Sequence, residues 1–183
     1  MPVSAVVTAR NEEKLIGVCL RSLLKQPRVK ELILVDDGST DATVKEASKL
    51  PVKVLQRNFR DIYLVKREGI LAASNPLVVV VDGDTVLSPN WVEDAYRMMT
   101  PSVSLVTGYI QPLDGKAPVK AIADFQNWNR EYLSGCSYML RQRDFIRLFG
   151  HVNYGNLPGK EAPLHAFYKL GTVVKSPRLT AWT

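Results

Sequence analysis

Two clusters of carboxylates carry the chemistry open to this chain. Asp82 and Asp84 flank Gly83 directly after the apolar run Leu77–Val81, and Asp36-Asp37 follows Glu31–Val35 just as closely before Gly38-Ser39-Thr40-Asp41. Crowded carboxylates repel one another, so a cation, a helix N-terminus or fixed hydrogen-bond donors must offset them. The spacing at 82–84 suits a hard divalent ion, Mg²⁺ or Mn²⁺, which takes oxygen ligands and combines one or two carboxylates with substrate phosphates. Gly83 between them permits close approach of a ligand or an unusual backbone angle. Asp-Gly is also a common turn dipeptide, and a turn alone is the competing reading. In the earlier cluster one of Ser39, Thr40 or Asp41 caps the next helix. That leaves Asp36 and Asp37 unexplained, and a carboxylate there can accept from a base N–H or a ribose hydroxyl.

The elements that must position these residues follow an α/β rhythm of short apolar runs and amphipathic stretches. Val3–Ala9 reads as a first strand. Leu15, Ile16, Cys19, Leu20, Leu23 and Leu24 recur at helical spacing over Glu12–Gln26, with Asn11 as N-cap and Pro27 as the stop. Glu31–Val35 is the second strand, a helix runs to about Leu50, and Val52–Gln56 is a short strand. Tyr63–Ala73 reads as helix, and the apolar strand Leu77–Val81 has the composition of a central strand covered on both faces. Beyond it the pattern predicts helices over Pro89–Met99, Val119–Leu133, Asp144–Phe149 and Lys160–Leu170, and strands over Val103–Ile110, Cys136–Leu140 and Thr172–Lys175. The Asn- and Gly-containing stretch His151–Pro158 reads as a loop. In open α/β sheets ligands bind outside the carboxyl ends of the strands, which is where both acidic clusters fall.

The bulk composition is that of a folded domain. With 183 residues, 46% hydrophobic and 23% charged, the chain is long enough to bury a core and too apolar for disorder. No run is long enough to span a bilayer, and Met1-Pro2 leads straight into a strand without a targeting signature. The expected location is cytoplasmic, with peripheral contact at a membrane surface as the alternative. Cys19 and Cys136 lack metal-ligand or disulfide spacing and are expected to be small core residues. The net charge of +6 favours anionic ligands, but the basic residues are scattered and form no block of the kind nucleic acid requires.

Taken in order, Val6-Val7-Thr8-Ala9-Arg10-Asn11-Glu12-Glu13, Leu34-Val35-Asp36-Asp37-Gly38-Ser39-Thr40-Asp41, Arg67-Glu68-Gly69 with Ala72-Ala73, and Val81-Asp82-Gly83-Asp84 resemble the motifs of the family 2 inverting glycosyltransferases with the GT-A fold. The resemblance is close over the first 110 residues and thinner to about Gly171. It implies a Rossmann-like α/β/α sandwich with a mostly parallel central sheet, forming one domain over residues 1–183. Residues 1–110 would bind the nucleotide sugar and residues 111–183 would face the acceptor. It implies a nucleotide-diphosphate sugar donor, a glycan, lipid-linked or protein acceptor, and Mg²⁺ or Mn²⁺. Thr8, Arg10, Asn11 and Glu12 would line the nucleoside pocket, Asp36 or Asp37 would contact base or ribose, and Arg67 would approach the nucleotide from its helix. Asp82 would serve the ribose or the metal, and Asp84 would be the direct metal ligand, the metal neutralising charge on the departing diphosphate.

The family's catalytic carboxylate normally lies in an acidic pair ahead of a Leu. Aligned on Leu164, Glu161 takes that place, and Lys160 replaces the first acid. Glu161 would then deprotonate the acceptor hydroxyl; the competing reading is a first-turn helix residue favoured by the dipole. Ser134-Gly135-Cys136 resembles the family segment beneath the acceptor sugar. Trp128 reads as a packing residue, His151 as a loop histidine, and His165 as a surface or packing residue. The departure at Lys160 keeps open a module that binds a nucleotide sugar without transferring it. A nucleotidyltransferase would need a glycine-rich basic loop after the first strand, where Thr8-Ala9-Arg10-Asn11-Glu12-Glu13 stands instead. The end at Trp182-Thr183 fits a nearly minimal catalytic domain.

Overall fold

The alternation of side chains along the strands decides the layering. In the computed structural model, which describes residues 1–113, 117–129, 133–150 and 162–183, eight strands form one sheet in the order β3-β2-β1-β4-β7-β6-β8-β5. The first half supplies β1 (Val3–Ala9), β2 (Val29–Asp37), β3 (Lys53–Arg57) and β4 (Leu77–Asp82), all mutually parallel. The second half supplies β5 (Val86–Leu87), β6 (Val103–Gln111), β7 (Ser137–Arg141) and β8 (Thr172–Trp182). Of these, β7 runs antiparallel to both β4 and β6, while β8 is parallel to β6.

Residues one apart on a strand point to opposite faces. Ala5, Val7, Leu34, Val79 and Val81 therefore pack under α1 (Ile16–Leu24), α2 (Thr43–Ala47) and α4 (Trp91–Met98), burying Leu20, Leu23, Ala47 and Trp91. Val6, Ile33, Val35, Val78 and Val80 pack under α3 (Ile62–Ala72) and α6 (Gln142–Phe149), with Val65, Ile70, Phe145 and Phe149. The expected α/β/α sandwich with a mostly parallel sheet is the observed architecture. Among the described residues no helix is long and apolar enough to cross a membrane.

Several boundaries differ from the sequence reading, each for a local reason. Asn11 does not cap α1. Its backbone is left-handed (φ 57°) and its Oδ1 accepts the Thr40 N–H at 2.9 Å, so regular helix begins only at Ile16. β2 extends through Asp36 and Asp37 because their backbones pair with β3. β8 continues to Trp182 past Ser176-Pro177-Arg178, where its register against β6 shifts between Gly108 and Tyr109. The bulge accommodates the proline, and a Cβ on Gly108 would lie 2.0 Å from the Leu179 carbonyl oxygen. The two-residue β5 has too short a pattern to read from sequence. The helix expected over Lys160–Leu170 is, where described, a short α7 (Ala162–His165) followed by a 3-10 turn (Ala166–Lys169). The loop read over His151–Pro158 lies outside the described residues.

Trp128, read as packing, is 78% exposed at the end of α5 (Ala117–Trp128) and lies against Phe125 with ring centroids 6.1 Å apart. His165 is half-buried and stacks on Tyr168 at 6.0 Å. Cys19 is fully buried, and burial pushes its thiol far above the ordinary range. Cys136 is pushed up to about 11, also by burial, against the opposing hydrogen bond from Ser134.

Gly69 shows why small residues recur on α3. A Cβ there would come within 2.2 Å of Val6 Cγ1 on β1 and 3.0 Å of Val35 Cγ2 on β2. Gly69→Ala gains up to about 1 kcal/mol of helix propensity, but forces a core valine or the whole helix to move, costing about 1–3 kcal/mol. The variant is expected to unfold at lower urea with an unchanged slope, and an unchanged midpoint would show that α3 can lift off the sheet without cost.

Candidate functional site

Strand register assembles the site. Ala9 pairs with Asp36 across β1/β2, and Thr8 pairs with Asp82 across β1/β4, so three strand ends finish side by side. A cleft of about 370 Å³ opens there, lined by Thr8, Arg10, Glu12, Asp37, Arg60, Asp61, Asp82 and Asp84 among others. The acidic residues from both sequence clusters thus border one cavity.

The turn at 82–84 is both a turn and part of the cleft wall. Gly83 N–H donates to the Thr8 carbonyl at 2.8 Å, and Thr85 N–H donates to the Asp82 carbonyl at 3.0 Å. A Cβ on Gly83 would sit 2.7 Å from Ala9 Cβ, so only glycine lets this turn fold against the end of β1. Thr8 Oγ1 donates to Asp82 Oδ1 at 3.2 Å, and Thr85 Oγ1 donates to Asp84 Oδ1 at the same distance.

The loops after β1 and β2 are joined by hydrogen bonds. Asn11 N–H donates to Ser39 Oγ at 2.9 Å, Glu12 N–H to Thr43 Oγ1 at 2.7 Å, and Glu13 N–H to Asp41 Oδ2 at 3.1 Å. In return Ala42 N–H donates to Glu13 Oε2 at 3.0 Å. Asn11 therefore holds the wall of the cleft and is not among the residues lining it, while Arg10 stands exposed at its rim and Glu12 is half-buried.

The two aspartates of β2 are held differently. Asp37 lines the cleft, and its Oδ1 accepts the N–H groups of Phe59 and Arg60 at 2.6 and 3.0 Å. Arg60 adopts φ 54° to present its N–H, a left-handed conformation unusual for a non-glycine residue. Asp36 is 1% exposed; one oxygen accepts Ser39 N–H at 3.2 Å, and the other is buried without a hydrogen-bond partner. Arg67 is half-buried on α3 outside the cleft lining, with its Nε enclosed and without a hydrogen-bond partner. Glu161 lies outside the described residues.

Three residues at the cleft escaped the sequence reading. Arg60 and Asp61 line it, and Asp61 also caps α3, accepting the N–H groups of Tyr63 and Leu64 at 2.8 and 3.1 Å. Lys66 reaches it from α3, its Nζ 2.8 Å from Asp82 Oδ1. The signal for Lys66 was present in the sequence. Residues 62, 65, 66, 69, 70 and 73 form one helical stripe, whose members Val65, Gly69 and Ile70 are buried against the sheet. A lysine on that stripe needs an internal partner; Arg67 falls off it.

The residues present fit a divalent cation held jointly with phosphate oxygens. Glu12 is held above the ordinary carboxylate range by burial first, then by the charges of Asp84, Asp41 and Asp82. Such a field favours a cation. Among the described residues no three His, Cys, Asp or Glu side chains converge to close a metal site, so oxygens of a ligand would have to complete the shell.

Comparison with known proteins bears on the family and the fold. The model of the glycosyl transferase family 2 matches residues 4–149. Glycosyltransferase GlyG of Streptococcus pneumoniae is 34% identical, covering 94% of this chain and 66% of its own length. Among solved structures, Staphylococcus aureus TarS 1-349 in complex with UDP superposes with a TM-score of 0.76 at 20% identity, over all of this chain and 61% of its own. The mannosyltransferase PcManGT of Pyrobaculum calidifontis, in complex with GDP-Man and Mn²⁺, gives 0.74 at 19% identity over 99% and 56%. These likenesses show the GT-A fold. The chain spans between about a third and two thirds of the length of the curated relatives it matches first.

The shared field of the cleft has a measurable consequence. Asp84→Asn removes the largest like charge acting on Glu12 and leaves its burial in place, so the Glu12 midpoint is expected to fall in a carboxyl ¹³C NMR titration. Because the folded-state pKa of Glu12 lies above its unfolded value, stability from this group is present at low pH and lost as pH rises through the folded pKa. The variant should lessen that loss. An unmoved midpoint would mean that the two carboxylates do not share a field.

Proposed function

The chain belongs to glycosyl transferase family 2, and from that premise we propose that it transfers a sugar from a nucleotide-diphosphate donor to an acceptor hydroxyl with inversion at the anomeric carbon. The observation that carries the reading is the convergence of Thr8, Glu12, Asp37, Asp82 and Asp84 on one cleft at the carboxyl ends of parallel strands. Open α/β sheets bind nucleotides at such a place. That TarS and PcManGT carry UDP and GDP-Man in their complexes supports a nucleotide-sugar donor here.

In this reading Asp37 receives the nucleoside. Its Oδ1 is fixed by two backbone N–H groups, so the carboxylate is oriented before a ligand arrives. Asp36 lies beneath it, its unpartnered oxygen an acceptor for a buried N–H or an ordered water. Thr8, Arg10 and Glu12 flank the nucleoside, Asn11 supports that wall through the 39–40 turn, and Arg67, outside the cleft lining, adds positive potential from α3. Asp84 would hold Mg²⁺ or Mn²⁺ together with the diphosphate oxygens, and Asp82, already paired with Lys66, would orient the ribose or share the ion. When bound, the ion supplies Lewis-acid neutralisation of the leaving diphosphate. Residues 1–110 serve the donor in this scheme and residues 111–183 the acceptor, with Glu161 as the base that takes the acceptor proton.

The Lys160-Glu161 departure from an acidic pair gives the second reading, donor binding without transfer. Turnover separates the two. Glu161→Gln is expected to lower transfer by about 10²- to 10⁴-fold while sparing donor affinity, and unchanged turnover would place the base elsewhere. UDP or GDP at about 100 times Kd should stabilise the fold by about 2.7 kcal/mol, a rise of about 5–10 °C in Tm for a chain of this size. The rise should grow with Mn²⁺ and shrink with chelator, and Asp84→Ala should abolish its metal-dependent part. Indifference of the wild type to nucleotide and metal alike would sink the scheme.

A further inference from the structure

Lys66 stands where α3, the end of β4 and the segment between α5 and β7 meet. Its Nζ donates to the Gly135 carbonyl at 2.7 Å and is paired with Asp82 Oδ1 at 2.8 Å. Its side chain is only 12% exposed. An ammonium so enclosed is costly to keep unless it is both charge-paired and hydrogen-bonded, and here one group meets each need. Asp82 belongs to the donor cleft. Gly135 belongs to the short strap at residues 133–136 that leads directly into β7.

The strap is tied to the sheet on two other sides. Asp82 N–H donates to the Cys136 carbonyl at 3.0 Å, so the backbone of the cleft aspartate grips it directly. Thr107 Oγ1 on β6 lies 3.2 Å from the Ser134 carbonyl oxygen and 3.0 Å from that of Ser137. On the α3 side, a Cβ added at Gly135 would meet only the Lys66 ammonium, at 4.0 Å, among the described residues. Lys66 thus meets the strap at Gly135 from the α3 side.

We propose that Lys66 is a positioning residue that couples occupancy of the donor cleft to the conformation of the 133–136 strap. The inference rests on the donor reading given above. One ammonium is shared between a cleft carboxylate and a strap carbonyl, and its charge cannot serve both fully. A ribose hydroxyl or a cation that takes up the charge of Asp82 weakens the pull of that carboxylate on Nζ and alters its grip on Gly135. Coupling of this kind is reciprocal, so a molecule seated on the strap would change donor affinity by the same factor, which for coupled sites is typically about 5- to 150-fold.

Amide hydrogen–deuterium exchange tests the link, with UDP and Mn²⁺ as the probe. In the free protein, Lys66→Met keeps the stem but loses the charge, and exchange over 133–137 is expected to quicken by about tenfold. Lys66→Arg should fall between, and β3 at the far edge should not change. In wild type, saturating UDP and Mn²⁺ should slow exchange in the cleft loops at 8–12 and 37–41 and shift exchange in the strap. In Lys66→Met and in Asp82→Asn, at concentrations raised to saturate the cleft, the loops should still respond and the strap should not. Unchanged strap exchange in free Lys66→Met overturns the proposal, as does a strap response that survives in either variant or is missing in a wild type whose loops respond. Should Lys66→Met not fold, Lys66→Arg and Asp82→Asn decide by the same comparison. Loops that ignore UDP in wild type would instead refute the nucleotide-sugar reading, and the free-protein comparison would still decide whether Lys66 holds the strap.

Discussion

The crowding of carboxylates at the ends of three parallel strands is the constraint on which the rest of the structure depends. Parallel pairing brings the ends of β1, β2 and β4 level, which places Asp36, Asp37 and Asp82 along one edge with Asp84 just beyond. Left alone, these charges would repel one another and the fold. The chain answers with fixed donors: Ser39 N–H for Asp36, Phe59 and Arg60 N–H for Asp37, and Thr8 with Lys66 for Asp82. Asp84 is given a hydroxyl from Thr85. Burial first, and then the charges of Asp84, Asp41 and Asp82, make Glu12 hold its proton more tightly than usual.

The same constraint explains the unusual backbone around the cleft. Asn11 and Arg60 adopt left-handed conformations, and Gly83 sits where a side chain would collide with Ala9. The two left-handed residues are locally unfavourable, and both are fixed by surrounding bonds. Asn11 is gripped by Ser39 and Thr40, and Arg60 by Asp37. Strain of this kind persists where the surrounding structure over-determines it, typically at binding sites. The cross-bonded loops after β1 and β2 make this side of the cleft a fixed surface.

The second half of the sheet is organised by a different logic. β7 enters antiparallel between β4 and β6, so the strap that precedes it starts at the cleft end of the sheet. This places residues far apart in sequence, Lys66 and Gly135, within one hydrogen bond of each other. Near it, α5 leaves Ile122, Phe125 and Trp128 exposed, while Asn127 is buried and bonds both the N–H and the carbonyl of Ile110.

What the sequence determined by itself was whatever a period of 2 or 3.6 encodes, together with which residue types end each strand. Leu77–Val81 has the composition of a doubly covered strand, and Asp82-Gly83-Asp84 reads as its mouth or as a plain turn, because apolar runs and turn residues are local signals. The ordered motifs carried the family resemblance for the same reason. Tertiary structure decided the partnerships. Asn11 reads as a helix cap from its local position, and that it holds the 39–40 turn instead depends on a loop about 30 residues away. Arg67 and Lys66 are neighbours on a charged stretch; only the packing of α3, set by Gly69 against Val6, brings Lys66 to Asp82, while Arg67 stays outside the cleft lining. Long-range hydrogen bonds and ion pairs have no periodicity, so the residues they select become visible only when the sheet brings its strand ends together.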